Sequence, residues 1–167
     1  ILLILGAPFL SIRFGFPDDR VLPSSAGAHQ IQREIRADFA HNAAATITVL
    51  ADGAGDAARL SRYSSDLSRV SGVDSTTTSA GTFVGGGRVA PGPAGDLRGD
   101  TAIISVATDV EPMTDAGRDQ LEALRAVPRP TGLTVAFTGL AASNVDTVDA
   151  IYGYLPWVLA IIAIATF

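Results

Sequence analysis

His29 and His41 are the only imidazoles in this chain of 167 residues, and cysteine is absent. The missing thiols exclude disulfides, thiolate nucleophiles and cysteine-based zinc or iron–sulfur sites. The two histidines are too widely spaced to be neighbours on one helical face, and a shared metal site needs ligands that converge. Surface or helix-end histidines are the simpler reading. Tyr63 and Met113 are residue types that can join a histidine on haem iron. Nothing in their spacing demands it, and Tyr63 also fits the apolar stripe of a helix.

Two carboxylate pairs could carry acid–base work. Asp18-Asp19 lies in the stretch Phe16-Pro17-Asp18-Asp19-Arg20-Val21-Leu22-Pro23. Its prolines favour extended chain, in which successive side chains point to opposite sides, and this disfavours a dyad. A turn cap, or a pair with Arg20, is the structural alternative. Asp146 and Asp149 do share a helical face. They could handle protons or cations beside a membrane, or simply form the solvated side of a helix. Gly85-Gly86-Gly87-Arg88 lacks the lysine and the following helix of a phosphate loop, and so reads as a flexible hairpin tip. No Gly-x-Ser-x-Gly elbow occurs. The chain therefore presents no catalytic, metal or resident-cofactor site, and a non-enzymatic role is expected.

The elements around these residues follow from hydrophobic periodicity. Ser24 or Ser25 caps a first helix with the stripe Ala28, Ile31, Ile35 and Phe39. Residues 45–50 alternate as a strand. Asp56 or its neighbour opens a helix bearing Leu60, Tyr63, Leu67 and Val70, closed by Gly72. Residues 73–84 form a Thr-rich strand, and 85–99, dense in Gly and Pro, form a long mobile loop. Residues 101–108 are almost continuously apolar, which predicts a central strand covered on both faces. Pro112 and Thr114 or Asp115 start a third helix with Leu121, Leu124 and Val127, stopped by Pro128 and Pro130. Leu133, Val135 and Phe137 share one face of a last strand, after which a helix runs from 141 into an apolar end. Leaving out the first and last helices, the order is strand–helix–strand–strand–helix–strand, the α+β, split β-α-β, ferredoxin-like pattern.

Composition bounds the rest. Hydrophobic residues make up 47% and charged residues 17%, which excludes general disorder. The net charge is −5 and every basic residue is arginine, with no basic cluster in sequence, so no nucleic-acid partner is expected. Both ends are apolar and shorter than the roughly 20 residues of a full span. Residues 1–12 are expected to be the end of one transmembrane helix and 153–167 the start of the next, with an extracytoplasmic domain over 13–152. Tyr152, Tyr154 and Trp157 stand where an interfacial aromatic belt would lie.

The string Pro17-Asp18-Asp19-Arg20-Val21-Leu22-Pro23, after an apolar run and before an amphipathic helix, resembles the mycobacterial membrane protein large family of the resistance–nodulation–division superfamily. Thr138-Gly139-Leu140, followed by a helix entering an apolar run, is similar to the same pattern. The resemblance spans essentially the whole chain and would make it the second of two soluble porter loops. It implies a proton-motive-force-driven transporter exporting lipids to the cell envelope, with some relatives linked to haem uptake, so that haem would be a transported ligand. Pro17, Asp18, Asp19, Arg20, Leu22 and Pro23 would be structural motif residues. The implied partners are the sister porter loop, a lipid substrate, the membrane and periplasmic accessory proteins, with this domain on the periplasmic side of the inner membrane. The proton-carrying residues would lie in membrane helices that this sequence does not include. Ile31, Ile35 and Phe39 could line the lipid passage or pack on the sheet. The competing reading is a sensory or ligand-binding ectodomain tethered by flanking spans; a hydrolase would need a buried Ser–His–Asp or metal constellation.

Overall fold

The computed structural model describes residues 21–38, 45–93, 95 and 97–166. The first element among these residues is α1 (Gly27–Asp38), entered through a turn in which Ala26 N–H donates to Pro23 O at 2.8 Å. Ala26 stands where a capping side chain was expected from Ser24 or Ser25. Ser24 contributes its carbonyl instead, accepting from Gln30 Nε2 at 3.3 Å.

The sheet is built around β1 (Ile47–Asp52) and β6 (Thr101–Thr108), paired antiparallel from Ile47↔Val106 to Asp52↔Thr101. On the far side of β1 lies β7 (Thr134–Thr138); on the far side of β6 lies β2 (Val73–Thr78). The four strands β2-β6-β1-β7, with α2 (Ala57–Leu67) after β1 and α3 (Asp115–Ala126) after β6, are the ferredoxin-like arrangement that the element order predicts. Beyond β2 the sheet continues through β3 (Gly81–Val84) and β4 (Gly87–Ala90), while β5 (Leu97–Arg98) pairs with the start of β6.

Two expectations are corrected here. Residues 73–84 are not one strand but the hairpin β2–β3, turned at Ser79-Ala80. Residues 85–99 are not one long mobile loop, because β4 and β5 lie within it. Gly85 and Gly86 take φ of 55° and 88°, the two consecutive positive values of the tight hairpin turn that matches strand twist. The turn is pinned to α2: Gly86 N–H donates to Ser68 Oγ at 2.8 Å, and Ser65 Oγ donates to Gly86 O at 2.7 Å.

Helices α2 and α3 have N-caps at the expected residues. Asp56 Oδ1 accepts from the amides of Ala58 and Arg59, and Thr114 Oγ1 accepts from that of Gly117. The α2 helix itself ends at Leu67, before Gly72, whose φ of 79° serves the following turn. Leu60, Tyr63 and Leu67 from α2 and Leu121 and Leu124 from α3 are fully buried on Ile47, Val49, Ala51, Ala102, Ile104 and Val106 of the sheet. Each buried Leu, Ile or Val among them contributes about 1.5–3 kcal/mol of burial free energy. A polar tie closes one flank: Gln120 Nε2 donates to Ser71 O at 3.1 Å, and Thr108 Oγ1 lies 3.0 Å from Gln120 Oε1.

Strand β6 is central, as its apolar run predicts, but only one face is fully buried. Ala102, Ile104 and Val106 point into the helix layer, while Ile103 is 41% exposed. In an antiparallel sheet the helices collect on one face, and the other is left to solvent. On that open face Ile103 and Ala136 lie on either side of Leu50 in the register.

Candidate functional site

The domain core meets a long apolar helix at the end of β7. Gly139 makes the corner, with φ of 118°, and a Cβ there would meet Thr46 O at 3.0 Å. Glycine answers both constraints. Helix α4 (Leu140–Thr166) then runs unbroken, so the boundary expected at 152/153 falls inside one helix. Its start is core: Ala141, Ala142, Val145 and Val148 are buried, at the spacing of one helical face.

Asp146 and Asp149 flank this docked face and reach across to α3. Arg125 Nη2 lies 2.9 and 3.1 Å from the two carboxylate oxygens of Asp146. Arg118 Nη2 lies 2.8 Å from Asp149 Oδ1, and its Nε donates to Glu122 Oε1 at 3.1 Å. Hydrogen bonds to Asp149 and then Glu122 raise the Arg118 pKa above its usual value. Both carboxylates are therefore already paired with guanidinium groups, and a cation would have to displace an arginine from either. The side chains remain 32–59% exposed, so each pair contributes about 0.2–1 kcal/mol and yields to salt.

Beyond the dock, residues 150–166 are exposed and carry no charge. At 1.5 Å per residue they extend roughly 25 Å, near the 30 Å of a bilayer hydrocarbon core. By length and composition α4 can cross a membrane. Tyr154 and Trp157, each 72% exposed, mark its domain-proximal end, the level at which aromatic side chains settle at membrane interfaces. Pro156, inside the helix, has no N–H to donate.

The other predicted residues are dispersed. Pro17, Asp18, Asp19, Arg20, Phe39 and His41 lie outside the described residues. Leu22 and Pro23 are exposed just before α1. Ile31 is 58% exposed and Ile35 is half-buried, so the described part of that stripe is not buried against the sheet. Tyr63 is sealed in the core with its hydroxyl unpartnered, out of reach of an incoming haem; burial pushes its pKa up, with Arg129 opposing. His29 lies in α1, and half-buried Met113 precedes α3. Among the described residues no three His, Asp or Glu side chains converge. The partners Arg118 and Arg125 were missed, although their seven-residue spacing on one helix face against Asp146 and Asp149 on another is a readable signal. No protein-family model matches the chain, and no curated protein matches it at a significant level.

Proposed function

We propose that the chain is an extracytoplasmic porter domain of a proton-motive-force-driven transporter of the resistance–nodulation–division type, moving lipids outward to the cell envelope. The observation that carries this reading is the continuity of α4, whose first turns belong to the domain core and whose remainder is an exposed apolar rod. A tilt of the rod by about 10° would displace the docked end by roughly 4 Å over its length. That displacement is passed to α3 and β7 without an intervening loop. The Arg118–Asp149 and Arg125–Asp146 pairs are weak enough to slip and re-form during such a stroke. The open face with Leu50, Ile103 and Ala136 gives a sister loop a surface to meet. Proton carriers belong, on this reading, to membrane segments and not to the described residues.

The test is transport by the complete protein in liposomes carrying a fluorescent lipid and an imposed pH gradient. Lipid movement that follows the gradient is the expected result. A protein that crosses the membrane only twice, moves no lipid and couples this domain to a cytoplasmic signalling module would replace the reading with a sensory ectodomain.

A further inference from the structure

Three of the twelve arginines, in a chain of net charge −5, converge on one cleft of about 450 Å³. Arg59 and Arg62 come from α2, and Arg129 from the α3–β7 loop; Asp56, Pro130 and Thr131 also line the cleft. Two glycines bring these segments together. Gly53, just after β1, and Gly132, just before β7, have φ of 83° and 82°, and a Cβ on Gly53 would collide with Gly132 O. The two loops thus touch backbone to backbone, and Arg129 is carried to the side of the cleft facing α2.

Charge inside the cleft is unbalanced. Among the described residues Asp56 is its only carboxylate, and one of the Asp56 oxygens is committed to the α2 cap. Arg59 is held in place by donating from Nη1 to Gly53 O at 3.0 Å, and its Nη2 is 3.9 Å from Asp56 Oδ2. The side chains of Arg62 and Arg129 make no hydrogen bond or ion pair with any described residue. Like charges gathered in a concave surface repel one another, and they focus a positive field on an incoming anion. The planar forks of guanidinium groups match the oxygens of phosphate. The volume lies in the roughly 300–1,000 Å³ range of small-molecule sites.

We propose that this cleft binds a phosphate-type oxyanion, supplied either as free phosphate or as the phosphodiester headgroup of an anionic lipid. The proposal does not depend on the transporter reading, since it rests on the cleft alone.

The experiment uses the full chain in bicelles at constant ionic strength, with amide shifts of Gly53, Thr131 and Gly132 as the readout. One arm titrates inorganic phosphate; the other replaces neutral lipid with phosphatidylglycerol. Saturable shifts with inorganic phosphate identify the free anion, and shifts only with phosphatidylglycerol identify the headgroup; either upholds the site. Arg62→Gln with Arg129→Gln should weaken binding at least about tenfold while core amides stay in place. Arg98→Gln, outside the cleft, should leave it unchanged. Absence of saturable shifts in both arms overturns the proposal, as does an equal loss in the Arg98→Gln control or unaltered affinity in the double variant.

Discussion

A single guanidinium nitrogen of Arg125 spans both carboxylate oxygens of Asp146, at 2.9 and 3.1 Å, and so ties the core helix α3 to the helix that leaves the domain. Together with Arg118–Asp149 it forms a two-point clasp beside the buried face of α4. A double-mutant cycle between Arg125→Ala and Asp146→Ala should give a coupling of about 0.2–1 kcal/mol in urea unfolding, shrinking in high salt. Coupling well above that range, or indifferent to salt, would show that the pair is shielded from water and stiffer than its exposure implies.

Trp157 is the chain's only tryptophan and stands 72% exposed on the apolar part of α4. Addition of lipid vesicles should shift its emission to the blue, with strongest quenching by bromines placed near the headgroup level. Emission that stays at the wavelength of water-exposed indole in the presence of vesicles would rule out insertion of α4.

Tyr63 buries a hydroxyl that has no partner, and burial raises its pKa above the ordinary tyrosine value of 10.0. The folded-state pKa is raised, so the stability linked to the neutral phenol is intact below pH 10 and is lost as pH climbs through the folded-state value. Tyr63→Phe should leave stability at neutral pH unchanged or raise it by about 1 kcal/mol, and should soften alkaline unfolding. A loss of more than about 2 kcal/mol would mean that the hydroxyl is bonded after all.

Gly53 and Gly85 both have positive φ but differ in surroundings. Gly53→Ala should destabilise by more than about 1 kcal/mol, because the new methyl runs into Gly132 O in a backbone that has no side chain to yield. Gly85 has open space around it and a φ of 55°, which asparagine adopts readily, so Gly85→Asn should be close to neutral. Thermal melts of the two variants check the contrast. Equal losses would falsify the loop contact on which the arginine cleft depends.

Leu124→Ala tests the core directly. Its side chain is fully buried between α3 and the sheet, and its truncation should cost about 2–5 kcal/mol in denaturant unfolding.

What sequence alone determined is what local periodicity and capping chemistry encode. The stripes Leu60, Tyr63, Leu67 and Leu121, Leu124 fell where expected, as did the caps Asp56 and Thr114, because each depends on neighbours within one helical turn. The alternation of Ile47 and Val49, and of Val135 and Phe137, likewise marked the buried side of β1 and β7, and the order of elements left few sheets to choose from. Tertiary structure decided what depends on contacts between distant segments. The turn at Ser79-Ala80 carries no strong dipeptide signal, so the β2–β3 hairpin emerged only with the pairing Thr78↔Gly81. Ile103 looked like a core residue until the helices settled on the opposite face of the sheet. Arg118 and Arg125 found Asp149 and Asp146, and Arg129 came to face Arg59 and Arg62, only because α4 docks on α3 and the Gly53 and Gly132 loops touch. Charges and turns of this kind act through space, and their spacing along the chain carries little of that information.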